Sequence, residues 1–476
     1  MNPPDSNIQS SLPGSSGASD PVAAFINAAC VPLEHGHTSG TLEQAEEILR
    51  THPTVAAANI HTASILADES LIRNCLTSCP ADATAKGGPR NWDALTHLCF
   101  SRYLRLDRAR SPGFVRCARA LLDAGASANT GFFSNEHQPK PEFESALYGA
   151  AGVAHDADLT RLLLEHGAEP NDGEVPYHAP EGWDNDALKV LLQSGRMNGD
   201  SLATMLLRKT DWHDCEGVRL LIQHGANPNA LTGWGKTALH NAALSDNDIE
   251  IFEVLLDHGA DPTIVGTHPE AGRSAAGATS IAVAARRGRG DVLRLFEQRG
   301  MATALDGVDA LIAACAKGDA ASVEAIARRS PELVNQVREQ GGWLLGQFAG
   351  NGNTEGVGRL LDLGVGVDSI WIEGDGYFGV ARNSTALHVA AWRSRPATVR
   401  FLIQRGASIN SPDGHGRTPL MLAIRACVDS YWADRRTPES VAALLDAGAR
   451  TNGITRPSGY SEVDELLRRA GVRYES

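Results

Sequence analysis

The chain has 476 residues, of which 21% are charged and only 5% aromatic, and its net charge is −14. That balance argues against a sequence-independent nucleic-acid binder, which needs a basic surface. No apolar run reaches the roughly 18 residues that a membrane helix requires, and the start MNPPDSNIQSSLPGSSGASD lacks the basic and apolar regions of a secretory signal. The eight cysteines are scattered through apolar helical patterns and read as buried small hydrophobes in a reducing compartment. Cys75 and Cys79 lie one helical turn apart, but no second pair with zinc spacing accompanies them, so no metal site is expected.

In chain order, residues 1–19 are rich in Ser, Pro, Gly and Asn and are expected to be a disordered tail. Residues 20–90 hold divergent helical units, PVAAFINAAC with TLEQAEEILRTHP, then IHTASILADESLIRNCLTSCP, which read as an N-terminal cap. From 91 to 452 the chain repeats one pattern. It is clear in SALYGAAGVAHDADLTRLLLEHGAEPN, SLATMLLRK with GVRLLIQHGANPN, TSIAVAARRGRGDVLRLFEQRG and STALHVAAWRSRPATVRFLIQRGASIN. It is weaker in WLLGQFAGNGNTEGVGRLLDLG and in 172–195, where Pro176 and Pro180 are expected to interrupt the first helix. Residues 453–476 supply a last helix, SEVDELLRRAG, read as the C-terminal cap.

The unit at 233–262, GWGKTALHNAALSDNDIEIFEVLLDHGADP, is the sharpest copy. Leu239, Ala242 and Ala243 fall on one helical face, and Ile251, Val254 and Leu255 form a second apolar stripe. A polar turn at 245–248 separates the stripes, and Gly259 stands where a helix-closing glycine belongs. Two helices of this length cannot bury both stripes alone, so the unit implies stacked copies on either side. With its T-x-L-H-x-A-A start and L-L-x-x-G-A-D close, this unit resembles an ankyrin repeat, with Ala238 in place of the usual proline. Gly225 and Gly259 are 34 residues apart, near the ankyrin period of about 33. Gly364, Gly406 and Gly448 are spaced by 42, which implies longer loops. The resemblance implies an all-α ankyrin-repeat solenoid of helix pairs with hairpin-like loops, roughly eleven or twelve units long and continuous beyond residue 20.

Insertions in such arrays collect on one face and often mark the binding face. Three inter-repeat segments, 131–143, 172–183 and 368–380, read as long finger loops and hold an unusual share of the scarce aromatics. Phe132, Phe133, Tyr177, His178, Trp183, Trp371, Tyr377 and Phe378 are therefore candidate partner-binding residues, with Trp234 on a shorter finger. The competing reading packs these side chains finger against finger. Two enlarged inter-helix loops, 102–113 and 429–438, are expected at the opposite end of the units as solvated surface.

Several motifs resemble active sites and fail. Residues 230–237, ALTGWGKT, fit a loose phosphate-loop pattern, but no buried strand precedes them. Arg289-Gly290-Asp291 spells an adhesion tripeptide inside an ordinary inter-helix turn, and 383–385 is a glycosylation sequon without a secretory route. His213 between Asp211 and Asp214 could serve as a general base, yet it lies in a turn with no nucleophile nearby. His240 and His388 occupy the T-x-L-H position, which the resemblance makes structural.

Together these features imply a non-catalytic interaction scaffold, cytoplasmic and monomeric, without cofactor. It would bind a partner protein through the concave groove and the aromatic fingers. The acidic balance favours a basic or polar partner and neither nucleic acid nor membrane. The alternatives are a small-molecule sensor or enzyme using the fingers as a pocket, and a secreted effector that binds a host protein.

Overall fold

The computed structural model describes residues 20–33, 36–134, 141–267 and 275–473. The tail expected at 1–19 lies outside the described residues. The chain divides into two compact units, one within Ser6–Gly233 with Asp257–Gly259, the other within Trp234–Leu256 and Ala260–Ser476. They are called the N-terminal and C-terminal units below. Both consist of paired helices, and each carries one two-stranded antiparallel hairpin.

The repeat is legible in its caps. Several first helices of the C-terminal unit open on threonine: the Thr237 Oγ1 accepts from the His240 amide, and the His240 ring reaches back to the Thr237 backbone. Thr385 and His388 form the same reciprocal box, while Thr279 and Thr418 cap their helices alone. Second helices open on Asp68, Asp156, Asp214, Asp319 and Asn353, each accepting from the amide three residues on. Gly167, Gly225, Gly259, Gly364 and Gly406 then end the pairs with φ between 83 and 90°. Only glycine adopts that left-handed turn without strain.

The apolar stripes meet as expected. Leu239, Ala242, Ala243, Ile251, Val254 and Leu255 are all buried. In the C-terminal unit Ala238–Leu244 packs on Ser280–Arg286, which packs on Gly307–Ala316. Gly341–Gly350, Ala386–Trp392 and Pro419–Asp429 continue in the same way. Leu255 and Leu402 are fully buried on second helices. Truncating either to Ala should cost about 2–5 kcal/mol. Hydrogen exchange should accelerate chiefly in the adjacent repeats, because solenoid contacts are local; a uniform acceleration would contradict this.

Two segments depart from the sequence reading. Residues 172–183 do not form a finger: Glu174–His178 is a short helix in the first-helix position. Pro176 is its third residue, where no intrahelical N–H is required, so the proline starts the helix instead of breaking it. Between Ala320–Arg329 and Gly341–Gly350 the helix Pro331–Glu339 replaces a hairpin. The cysteines divide as well. All are free, and Cys30, Cys99, Cys117, Cys315 and Cys427 are buried, but Cys79 is exposed and Cys75 and Cys215 are only partly covered.

Candidate partner-binding surface

In the N-terminal unit the finger is a hairpin of β1, Gly131–Ser134, and β2, Glu142–Ser145. Phe132 pairs with Glu144 and Phe133 with Phe143. Alternate side chains leave a strand on opposite faces, so these pairs point in opposite directions. Phe132 faces inward, stacked on Trp92 at 4.3 Å and edge-on to Phe100 at 5.0 Å. Phe133 is 68% exposed and leans on Phe143 at 5.2 Å. Gly131 crosses the Glu144 carbonyl so closely that any Cβ would collide with it.

Glu144 is buried beside Phe132, with His37 Nδ1 3.8 Å away. Burial, reinforced by the nearby Glu174 carboxylate, pushes its pKa up to about 8. His178 stands between Glu174 at 3.2 Å and Glu181 at 3.1 Å. Burial opposes its charge, but the two hydrogen bonds prevail and lift its pKa to about 9. Tyr177 lies under the Arg208 guanidinium at 4.1 Å. Of the candidates in 172–183, only Trp183 is open, 61% exposed and edge-on to Trp212 at 5.8 Å.

In the C-terminal unit Trp234 is half-buried. The finger at 368–385 pairs β3, Ile370–Trp371, with β4, Ser384–Thr385. Trp371 and Phe378 are buried in one cluster with Val380, Val389 and Trp432. Phe378 lies against Trp432 at 5.8 Å with the rings 24° apart. The Trp392 indole N–H donates to the Phe378 carbonyl at 2.6 Å, and the Tyr377 hydroxyl meets Ser245 Oγ at 3.3 Å. The segment bends back on itself through paired backbone bonds between Asp375 and Val380. Its tip therefore lands on inter-helix turns, where Trp432 waits. The loop at 429–438 is thus not solvated at the far end of the units, because the finger folds over to bury its tryptophan. The other enlarged loop is covered only in part: Tyr103 is buried and donates to Glu46 at 2.6 Å, while Leu106, Arg108 and Ala109 are exposed.

Beneath Phe378 lies an arginine hub. The buried Asp246 carboxylate accepts from Arg287 Nε at 2.9 Å, Arg393 Nη1 at 2.7 Å and Asn351 Nδ2 at 2.9 Å. Burial would raise the Asp246 pKa, but Arg287 and Arg393 hold it far below the carboxylate range. The Arg393 guanidinium lies 4.2 Å from both the Phe378 and Trp432 rings. Four inter-helix turns, separated by up to 147 residues of sequence, meet at this one carboxylate.

The tempting motifs resolve into structure. Thr237 of the phosphate-loop pattern is a helix cap. Arg289 is buried and turned back onto Asp291 at 2.9 and 2.8 Å. Asp214 caps Cys215–Gln223 and also takes Lys209 Nζ at 2.8 Å. The His240 and His388 rings meet the Ala278 and Ser411 carbonyls at 3.1 and 2.8 Å. The sequence reading missed the exposed aliphatics. Ile370 and Ile372, 52% and 59% exposed, flank the inward Trp371. Period-2 alternation was the signal, but aromatic content drew the attention.

Helix pairs with threonine–histidine boxes, left-handed glycine closes and inter-repeat hairpins define a helical-repeat protein. A family model for ankyrin repeats matches three copies, over residues 177–266 and 345–453. These two segments are ankyrin repeats. It is 28% identical over 113 residues to human transient receptor potential cation channel subfamily A member 1, matching 22% of this chain. It is 38% identical over 81 residues to human neurogenic locus notch homolog protein 4, matching 14% of this chain. It is 28% identical over 206 residues to the mouse B-cell lymphoma 3 protein homolog, matching 43% of this chain. The matches span only 10%, 4% and 36% of those relatives. The crystal structure of the human ASB11 ankyrin repeat domain aligns at 19% identity and a TM-score of 0.23, covering 64% of this chain and 98% of that one. Ankyrin repeats are generally protein–protein interaction modules. Among the described residues no helix is long and apolar enough to cross a membrane.

Proposed function

We propose that the protein is a non-catalytic scaffold that binds a partner protein through the outer faces of its inter-repeat fingers. One observation carries this reading. Among the described residues, five of the eight exposed large apolar side chains lie on inter-repeat segments: Phe133, Leu231, Val265, Ile370 and Ile372. Exposed apolar groups gathered in this way mark interaction surfaces. Phe132, Trp371 and Phe378 serve a different purpose: they anchor the fingers from inside so that the outer residues are held in place. Of the aromatic candidates, Phe133 and Trp183 remain direct contacts. Exposed Glu373 beside Ile372, and Glu142 beside Phe133, rim the apolar surface with negative charge and suit a basic or polar partner. Eight free cysteines suit a reducing cytoplasm.

Affinity capture with the full chain should be repeated on a Phe133→Ser variant and on an Ile370→Ser, Ile372→Ser variant, with circular dichroism to confirm folding. A true anchor is worth at least about 2 kcal/mol, so the partner should be lost from one or both. A folded pair of variants that retain every partner would place the interface elsewhere. Trp371→Ala is unsuitable for this purpose, because removing a buried anchor changes the fold of its own finger.

A further inference from the structure

In the C-terminal unit the inter-helix turns enclose a cleft of about 420 Å³. The second helices Ile249–Asp257, Gly290–Gln298, Thr354–Asp362 and Pro396–Gln404 all begin at its wall. Each brings a positive dipole end and amides without intrahelical partners. Other second helices in this chain begin on an acidic or amide cap, as at Asp68, Asp156, Asp214 and Asp319, and so does Thr354–Asp362 at this cleft, through Asn353. At two of the cleft's turns the cap residue is instead an arginine, Arg289 or Arg395, and neither makes a side-chain cap. A guanidinium has no acceptor with which to cap a helix, so the substitution adds positive charge where the usual residue would cancel it.

A third arginine, Arg435, enters from the inserted loop and also lines the cleft. Three of the cleft's carboxylates are engaged, Asp246 by Arg287 and Arg393, Asp248 by Arg435 and Asp291 by Arg289, while a fourth, Glu355, is 65% exposed with Arg359 at 3.8 Å. Donors are left over. Arg289 Nη1 and Arg435 Nη1 are buried without an acceptor, and the Arg289 side chain is only 7% exposed. Arg395 spends its Nε on the Gly350 carbonyl at 2.9 Å and has no carboxylate partner. Burial, together with Arg393 and Arg435 nearby, pulls its pKa down to about 9, the mark of cationic charge in excess.

We infer that this turn cleft, lined by Arg289, Arg395 and Arg435, binds a phosphate group carried by a larger ligand. A tetrahedral dianion accepts from several directions at once, which suits three guanidinia on one cleft wall and the N-termini of Gly290–Gln298 and Pro396–Gln404, which lack a side-chain cap. The volume exceeds that of one phosphate group, so the rest of the ligand has room. The inference does not use the exposed finger residues Phe133, Ile370 and Ile372, none of which lines the cleft.

Calorimetric titration of the full-length protein with sodium pyrophosphate, at constant ionic strength, tests it. Saturable binding is expected, at least ten-fold tighter than binding of citrate. An Arg289→Asp, Arg395→Asp variant restores the cap residue that other repeats carry. It should fold and bind pyrophosphate at least ten-fold more weakly. Arg435→Gln, which alters no helix cap, should weaken binding as well and serves if the double variant fails to fold. Displacement of pyrophosphate by inositol hexakisphosphate supports a free phosphate compound; displacement only by a phosphoserine peptide supports a phosphorylated side chain. Absence of saturable binding, displacement by neither competitor, citrate binding as tightly as pyrophosphate, or unchanged affinity in the folded variants would overturn the inference.

Discussion

Asp246→Ala should destabilise the C-terminal unit by about 3–5 kcal/mol, more than any single core truncation proposed above except at the top of its range. Removing one partner of a buried ion cluster leaves the others charged in a site they cannot leave. Arg287 and Arg393 are both almost inaccessible, and Arg393 already has Nε and Nη2 without acceptors. Its pKa, pulled down to about 10 by burial and by Arg287, still leaves it cationic at neutral pH. Alanine would also be strained at this position, where φ is 56°. Asp246→Asn separates the two effects, because asparagine tolerates the left-handed region and keeps the turn. Most of the loss should persist in the asparagine variant, read as a lower urea midpoint. If Asp246→Asn is as stable as the parent, the hub gives no net stabilisation and its carboxylate is a matter of geometry. Because the Asp246 pKa is depressed, its contribution is fully present above the ordinary aspartate value of 3.8 and is lost only as pH falls well below it.

The N-terminal unit should behave oppositely and lose stability as pH rises from 6.5 to 9. Glu144 titrates at about 8 in the fold against an ordinary value of 4.5. Between those values the folded chain keeps a proton that the unfolded chain has released, so stability falls with pH. His178, lifted to about 9 from 6.5, acts in the same direction over the upper part of the range. His97 and His155, held down to about 3 and 4 by burial against an ordinary value of 6.5, work the other way, but their effect fades above pH 6.5 and is complete by about pH 7.5, so it only blunts the start of the fall. The hairpin of β1 and β2 should respond first, since deprotonated Glu144 would place a further buried negative charge near Glu174. Hydrogen exchange in residues 131–134 and 142–145, compared at pH 6.5 and 8.5, checks this: protection should drop. Glu144→Gln should reduce the drop, leaving the part due to His178. Protection that is flat or rises over this interval would show that Glu144 ionises normally.

Much of the fold was legible because ankyrin signals are short-range. Thr237 and His240 are three residues apart and satisfy each other, and the same pair recurs at Thr385 and His388. Gly225 and Gly259 end helices for reasons held within one turn. The candidate surface was legible only in outline. The strand pairs β1–β2 and β3–β4 fall at two of the expected fingers, yet aromatic content alone did not distinguish Phe132 from Phe133, or Trp371 from Ile370 and Ile372. On a hairpin, adjacent residues face opposite ways, and which face is inward depends on what lies beneath it. For Phe132 that is Trp92, some forty residues earlier; for Phe378 it is Trp432, some fifty later.

The sequence by itself determined the helix pairs, their caps, their closing glycines and the apolar stripes that require stacking, since each rests on neighbours three or four residues away. Only the tertiary structure decided which side of each finger reaches solvent and that the turns of Asp246, Arg287, Asn351 and Arg393 converge on one carboxylate. It also decided that arginines standing in cap positions enclose a single cleft. No local pattern carries that information, because a turn's charge has no partner until the packing of the repeats brings distant turns within hydrogen-bond reach.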